Sequence, residues 1–380
     1  MISVNNKKDC CGCSACVQIC PKQCISMKND SEGFAYPIVD RNVCVECGLC
    51  EKVCPILNAI KTGDTVKNTY VGYAGNDIIR EKSSSGGIFS LLADEVLNEG
   101  GIVFGAAFDD SFMVRHIAAD SEKGLERLRG SKYLQSDIGD TFKICKQELD
   151  KGRKVLYTGT ACQIAGLKSF LKNEYENLIA VDVLCHGVPT SELWKKYLNE
   201  QKQKYGSDVY QVSFRKKSTG WKKYSVEIQF ANSEKYEKRA AEDKYMRLFL
   251  SDICLRPSCH DCKFKSLERA SDITIGDSWG INNYMPEMDD DKGTSVILVH
   301  SEKGQAVIDN ISKSMNIKKA ETEYALPPTA DSRKSVAPHM KREKFFELLA
   351  TGAGIDVLAD LLKPSFIHRV KRKIKSIIKK

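Results

Sequence analysis

The chain has 380 residues, enough for a small N-terminal module and one large or two medium domains with substantial cores. Its formal charge of +8 is concentrated in the last fifteen residues, where Arg369, Lys371, Arg372, Lys373, Lys375, Lys379 and Lys380 stand without an acidic neighbour, so the rest is nearly neutral and a general nucleic-acid surface is excluded. No run of eighteen apolar residues exists, which excludes a membrane span, and 16 cysteines with no export signal predict a reducing, cytoplasmic setting.

The N-terminal stretch organises everything after it. Cys10-x2-Cys13-x2-Cys16-x3-Cys20-Pro21 is followed by Cys44-x2-Cys47-x2-Cys50-x3-Cys54-Pro55, each position of the second run lying 34 residues after its counterpart. This is an internal duplication of a full iron–sulfur signature, and two copies predict two 4Fe-4S clusters. In the bacterial two-cluster arrangement the fourth Cys of each run serves the other cluster. Cys10, Cys13, Cys16 and Cys54 are therefore expected on one, and Cys44, Cys47, Cys50 and Cys20 on the other. Zinc would leave the third closely spaced Cys and the Cys-Pro ends unexplained, and the thiols are too crowded for a secreted disulfide framework. Cys11 and Cys24 fall outside the pattern and read as small packing residues. Ile25 to Met27 and Ala35 to Val39 are expected as short strands joined over 29–33.

After a polar, aperiodic linker over 61–69, a strand is expected at Tyr70 to Ala74. The loop Ser83-Ser84-Ser85-Gly86-Gly87 then opens a helix marked by Ile88, Leu91, Leu92, Val96 and Leu97. A small-residue loop at a helix start offers free N–H groups and the positive dipole end to a phosphate, although the same pattern also serves as an ordinary N-cap and turn. Strands at Ile102 to Phe108 and Val114 to Ala119 and a helix near Ser121 to Leu128 lead to Gly130-Ser131-Lys132-Tyr133. There a Lys beside a Tyr suits either a flavin contact or a plain surface position.

From Lys154 the texture becomes alternating strand and helix. Val155-Leu156-Tyr157 runs through Thr158-Gly159-Thr160-Ala161-Cys162 into a helix, and Ala180 to Leu184 runs through Cys185-His186-Gly187-Val188-Pro189 into another. Successive units of this kind put parallel strand ends on one sheet edge, so Cys162 and Cys185 should emerge together, where open α/β sheets bind ligands. Cys259-x2-Cys262 supplies two more thiols, and the four together read as a third 4Fe-4S site. One zinc ion and unliganded core thiols are the alternatives, and Cys254-x4-Cys259-x2-Cys262 also matches plant-type ferredoxin spacing, which would recruit Cys254. His186 stands where it could meet a substrate. Paired strands at Tyr210 to Arg215 and Tyr224 to Phe230, a strand ending in Gly276-Asp277-Ser278-Trp279, and a buried strand at Ser295 to His300 complete the reading, with Asp277 and Trp279 candidate lining of a cofactor site.

Taken in order, Ser-Ser-Ser-Gly-Gly, Gly-Ser-Lys-Tyr, Thr-Gly-Thr-Ala-Cys-Gln, Cys-His-Gly-Val-Pro, Leu-Arg-Pro-Ser-Cys-His-Asp-Cys-Lys-Phe and Ser-Asp-Ile-Thr-Ile-Gly-Asp behind a two-cluster ferredoxin resemble the family of coenzyme F-420 hydrogenase/dehydrogenase beta subunits over about residues 1–345. The resemblance implies an FAD-binding, iron–sulfur oxidoreductase that exchanges electrons with a redox partner protein, either a ferredoxin or a dehydrogenase or hydrogenase subunit, and with a small-molecule hydride acceptor or donor. It makes Ser84, Ser85, Gly86 and Gly87 FAD contacts and places Lys132 and Tyr133 near the isoalloxazine; the exposed 4Fe-4S clusters separately predict an anaerobic or microaerobic cell. Ala161 departs from the Pro common at that position in relatives. The substrate does not follow, because similar proteins reduce chlorophyll derivatives or accompany glycan synthesis; an adaptor subunit serving a partner enzyme is the alternative function.

The expected fold is an α+β ferredoxin-like two-cluster module over 1–60, then a mixed α/β flavin-binding part over 70–150 and 151–345, and C-terminal helices over 346–380. In the tail, Phe366, Ile367, Val370, Ile374, Ile377 and Ile378 share one helical stripe against seven cations. That suits an anionic membrane surface on the inner face of the cell membrane, or an acidic partner protein.

Overall fold

The computed structural model describes residues 1–59 and 66–363. Most of the linker expected over 61–69 and the whole stripe of 366–380 lie outside the described residues. In the N-terminal module, β1 (Ile25–Asn29) and β2 (Ala35–Val39) pair antiparallel with Ile25 opposite Val39. Two short helices, α1 (Ala15–Gln18) and α2 (Leu49–Lys52), repeat the duplication. So does the backbone: positive φ falls on Gly12 and Ser14 in the first copy and on the matching Glu46 and Gly48 in the second. Non-glycine residues hold that conformation at about 1–2 kcal/mol each, so a shared local demand keeps them there.

The body is built on an eight-stranded mixed sheet. Along the chain its strands are β3 (Asn68–Ala74), β4 (Ile102–Phe108), β5 (Val114–Ala119), β6 (Val155–Thr160) and β7 (Leu178–Val183). A separate three-stranded antiparallel sheet follows, made of β8 (Val209–Lys216), β9 (Ser225–Phe230) and β10 (Lys235–Arg239). The chain then returns to the large sheet with β11 (Ile273–Asp277), β12 (Ser295–Val299) and β13 (Met315–Lys319), giving the order β13-β3-β12-β11-β7-β6-β4-β5. The four central strands β11, β7, β6 and β4 are mutually parallel, and antiparallel strands finish both sides.

Helices α3 (Asp77–Glu81), α4 (Ile88–Asn98), α5 (Glu122–Leu128), α6 (Thr141–Asp150), α7 (Ala161–Leu171), α8 (Ser191–Tyr205) and α9 (Lys244–Leu250) connect these strands, and α10 (Ile281–Tyr284) to α14 (Ile355–Asp360) follow, with α11 at Glu302–Ile311, α12 at Thr322–Ala325 and α13 at Arg342–Ala350. One sheet face buries Leu91, Leu92, Val96 and Ile308 with Val103, Ile179 and Ile297; the other buries Phe142, Ile164, Leu167 and Phe170 of α6 and α7. β6 runs to Thr160, further than its sequence suggested. It passes straight into α7 because Thr160 and Gln163 form a reciprocal capping box, with Thr160 N–H donating to Gln163 Oε1 at 2.9 Å.

The module is bolted to this body. Arg342 of α13 forks onto Glu32 at 2.8 and 2.6 Å, and Thr190 and Ser191 at the start of α8 donate to the Glu32 and Gly33 carbonyls. Gln18 Oε1 accepts from the N–H groups of Phe142 and Lys143, so the module caps the exposed start of α6. A Cβ at Gly166 of α7 would stand 2.8 Å from Cys13 Cβ, so only glycine there lets the module lie so close. Phe34 and Tyr36 share one aromatic core with Trp194, Tyr197, Phe214, Tyr245, Phe249 and Phe345.

Candidate metal centres and cofactor cleft

Three sets of thiols lie in series. The outermost lines a pocket at the protein surface, formed by Cys20, Cys44, Cys47 and Cys50 with Met1 and Lys22. The fourth Cys of the first run thus stands with the second run. Cys47 is exposed, and Ile2 N–H donates to Cys50 Sγ at 3.2 Å. Cys24 also lines this pocket, 3.4 Å from Cys20.

The inner set is Cys10, Cys13 and Cys16 with Cys54, whose charge reaches both Cys10 and Cys16. Burial pushes the Cys16 thiol up to about 12. Around both sets the alternating left-handed residues make backbone nests, which turn N–H groups inward and suit an anionic cluster. A tetrahedral zinc with bonds of about 2.3 Å would draw its sulfurs to about 3.8 Å of one another. No group of three or more Cys, His, Asp or Glu among the described residues is arranged to hold a single metal ion. Two sets of four thiols, each with three closely spaced and a fourth from the other run, suit a multi-iron group.

The third set comes from three elements. Because β6 and β7 are parallel and in register to Thr160 and Val183, Cys162 at the second position of α7 and Cys185 just past β7 leave the same sheet edge. Cys259 and Cys262 reach them from the turn Pro257–Asp261, which is held by Arg256 N–H donating to Val188 O and Cys259 N–H to Arg256 O. Each thiol feels its neighbours: Cys185 the charges of Cys162 and Cys262, and Cys259 those of Cys185, Cys162 and Cys262. Burial pushes Cys185 up to about 12, and raises Cys259 and Cys262 as well. Free thiols there would be protonated and inert, so only a bound metal group would give the four a thiolate chemistry. Cys254 stands apart. It is fully buried in the aromatic core and donates to Leu248 O at 3.6 Å. Cys11, outside the sequence pattern, lies between two sets, packed with Cys13 and Cys162.

A fourth arrangement lies at the same sheet edge. Asp277, at the end of β11, takes a two-pronged pair from Arg215 of β8 at 2.7 and 3.0 Å, and Trp221 Nε1 donates to its Oδ1 at 2.9 Å. Arg215 also donates to the Tyr133 hydroxyl at 3.1 Å, and its guanidinium lies over Tyr224 at 4.1 Å. Trp279 stacks on Trp221 at 4.5 Å and is half exposed, so the arrangement opens to solvent. Ser131 N–H donates to Ser84 Oγ at 2.7 Å, which brings the serine–glycine loop and the Gly-Ser-Lys-Tyr segment together.

Several expected roles shift on inspection. Ser85 donates to Thr294 O, Gly86 N–H donates to Ser295 Oγ, and a Cβ on Gly86 would lie 2.5 Å from Gly72 O; both residues are fixed by packing against the ends of β3 and β12. Gly87 is the N-cap of α4 and makes no side-chain cap bond; it is buried, with Ala74, Ile79 and Ser83 close to where a Cβ would stand. Lys132 points its ammonium at the carbonyls of Arg127, Leu128 and Arg129 at 2.8–3.0 Å; it closes the end of α5 and has no donor left for a ligand. His186 lies beside the third thiol set, its Nε2 2.8 Å from Asp252 Oδ1 but without hydrogen-bond geometry. Phe249 connects the two regions, its ring 5.1 Å from His186 and 5.3 Å from Tyr133. Arg215 and Trp221 carry no motif and went unnoticed in the sequence.

A two-cluster ferredoxin module fused to a mixed α/β body with a further, partly buried thiol set defines an iron–sulfur electron-transfer chain. Its kind follows from its likeness to known proteins. The chain belongs to the family of coenzyme F-420 hydrogenase/dehydrogenase beta subunits: the family's N-terminal model matches residues 69–143, its C-terminal model residues 152–324, and a 4Fe-4S dicluster domain residues 9–57. One component of the F420H2 dehydrogenase of Methanosarcina mazei is 22% identical over 192 residues, 46% of this chain and 53% of its own, so the match spans about half of that relative. A 7Fe ferredoxin of Hydrogenibacillus schlegelii is 38% identical over 60 residues, 16% of this chain and 69% of its own. A chain of the F420-reducing NiFe hydrogenase complex from Methanosarcina barkeri aligns at a TM-score of 0.45 and 16% identity, over 68% of this chain and 84% of that one.

Proposed function

We propose that this chain is an iron–sulfur flavoprotein oxidoreductase which carries electrons between a protein partner at its N-terminal surface and an organic substrate at the Tyr133–Asp277 cleft. The observation that carries this reading is the serial placement of the four arrangements, from the exposed Cys47 through the Cys11–Cys162 contact to Phe249 and Tyr133. In this reading Cys20, Cys44, Cys47 and Cys50 hold an outer 4Fe-4S cluster, Cys10, Cys13, Cys16 and Cys54 an inner one, and Cys162, Cys185, Cys259 and Cys262 a third. When bound, the clusters supply single electrons and FAD supplies the exchange between one- and two-electron chemistry.

The chain's own residues do the rest. The first turn of α4, which no side chain caps, would hold the FAD phosphates, and Arg215, fixed by Asp277, presents a permanent positive charge beside Tyr133. The stacked Trp221 and Trp279 offer a flat apolar face to a planar ring. Cys259 packs against the core that holds Phe249 and Leu255, which shields that side of the third thiol set. The substrate is a small hydride acceptor or donor, F-420-like or otherwise, and the partner is a ferredoxin or another enzyme component.

The test is the flavin and iron content of anaerobically purified protein, wild type against Cys259→Ala. About one FAD and about twelve irons, with about four fewer irons in the variant, support the reading. Protein that keeps all its clusters and binds no FAD makes the chain an adaptor that serves a partner enzyme.

A further inference from the structure

Arg256 is 0% exposed, and none of its bonds goes to a carboxylate. Its guanidinium donates to Cys10 O at 2.9 Å, Ala35 O at 2.8 Å and Gln135 Oε1 at 3.1 Å, and its NH2 group lies 3.7 Å from Cys10 Sγ. Tyr36 stacks on it at 4.4 Å, and Gly12 brings the inner loop so close that a Cβ there would stand 3.0 Å from Arg256 NH1. Among the described residues the nearby acids are already taken: Glu32 by Arg342 and Asp30 by Lys7. A buried, permanently charged guanidinium without a counter-charge is costly, and proteins keep one only where something negative balances it. The negative groups it faces are the inner thiol set, which it touches at Cys10, and more remotely Cys162 of the third set.

We propose that Arg256 is the counter-ion of the inner cluster, raising that cluster's reduction potential above that of the outer one so that an electron arriving at the Cys47 end is drawn inward. This rests on the reading that Cys10, Cys13, Cys16 and Cys54 hold a 4Fe-4S cluster. One-electron reduction adds one negative charge and no proton to a cluster, and a fixed positive charge in contact with a ligand sulfur stabilises the reduced form selectively. Among the described residues the outer set has no buried charge of this kind: its N–H···S bond comes from the Ile2 backbone, the Met1 ammonium near Cys44 and Cys50 is already paired with Glu51 at 2.9 Å, and Lys22 on its rim sits in solvent, where screening blunts its effect. Arg256 also belongs to the segment that carries Cys259 and Cys262, so the charge that tunes the inner cluster is fixed by the same turn that builds the third site.

The experiment is an anaerobic redox titration of the full-length protein followed by electron paramagnetic resonance, in wild type, Arg256→Gln and Arg256→Lys. In Arg256→Gln the reduction equilibrium of one cluster of the N-terminal module should fall at least tenfold, which is 59 mV for a one-electron couple, while the other cluster of that module stays in place and the iron content is unchanged. Arg256→Lys, which keeps the charge but loses the fork, should move that equilibrium less than threefold. Unmoved potentials in an iron-replete Arg256→Gln protein would overturn the proposal, as would a Lys variant that falls as far as the Gln variant. If Arg256→Gln fails to retain iron, the wild type and Arg256→Lys still decide: the cluster perturbed by Cys13→Ser must be the one of higher potential within the module, and the opposite order overturns the proposal. Fewer than about eight irons in the wild type would instead remove the reading on which the proposal stands.

Discussion

Asp277→Ala tests the geometry of the cofactor cleft through an asymmetry between two partners. Arg215 is buried to within a few per cent of its surface, whereas Asp277 keeps 18% of its side chain exposed. Removing the carboxylate strands the guanidinium in the protein interior beside Tyr224 and takes the acceptor from Trp221 Nε1, a loss of about 3–5 kcal/mol. Removing the guanidinium as Arg215→Met leaves a carboxylate that water can reach and that still accepts from Trp221, so about 1–2 kcal/mol is lost. The apparent thermal midpoint of the anaerobic holoprotein should therefore drop by roughly 10 °C in Asp277→Ala and by a few degrees in Arg215→Met. The double variant, with no stranded charge, should be more stable than Asp277→Ala alone. These are comparisons of midpoints rather than of unfolding free energies, because a chain of this size with bound clusters does not unfold in two states. A double variant that loses the sum of the two singles would refute the pairing, and so would an Arg215→Met protein less stable than Asp277→Ala.

Gly166→Ala sets helix propensity, which favours Ala by about 1 kcal/mol, against a Cβ placed 3.0 Å from Cys13 Sγ, an overpacking cost of about 1–3 kcal/mol. The clash should win, and the purified variant should carry fewer irons than the wild type; full iron and a raised midpoint would contradict the close contact. His116 and His300 are buried, and burial lowers each to about 4 from 6.5. Protons then favour the unfolded chain, so stability is complete above about pH 6.5 and is lost as pH falls from there toward 4, by up to about 3 kcal/mol per histidine. A thermal midpoint that stays flat between pH 6.5 and 5 would rule this out. Cys254→Ala should keep its full iron while Cys185→Ala loses about four, as read by iron assay, since only the latter thiol stands in the ring; equal iron in both would reopen the ligand assignment.

The cysteine spacing made the N-terminal module legible because ligand geometry leaves little freedom: the 34-residue offset reappears as matching left-handed residues at Gly12 and Glu46 and at Ser14 and Gly48. The parallel strand-to-helix units were equally plain, and with them the emergence of Cys162 and Cys185 at one edge. Other features had no local signature. Arg215 and Asp277 are 62 residues apart and meet only because the small sheet folds against the large one. Arg215 also sits beside Lys216 and Lys217, where it reads as the edge of a polar turn. β13, the sequence Met-Asn-Ile-Lys-Lys, pairs along β3 as an edge strand and owes its existence to that partner. Helix α6 could have been found from Phe142, Cys145 and Leu149 at i, i+3 and i+7. Its N-terminal cap, Gln18, lies in the ferredoxin module and was out of reach of local reasoning. Lys132 shows the converse error: a motif residue placed at a cofactor turns out to be a helix cap.

In the proposed route, electrons entering at the N-terminal clusters reach the flavin only through the third thiol set. The most direct measurement follows flavin absorbance by anaerobic stopped flow after mixing with a reduced low-potential ferredoxin, comparing wild type with Cys185→Ser protein that retains FAD and the irons of its N-terminal module. The N-terminal clusters should be reduced in both proteins, and flavin reduction should be slowed by a hundredfold or more in the variant, roughly a 3 kcal/mol rise in barrier. Flavin reduced at the wild-type rate in the variant would contradict that route.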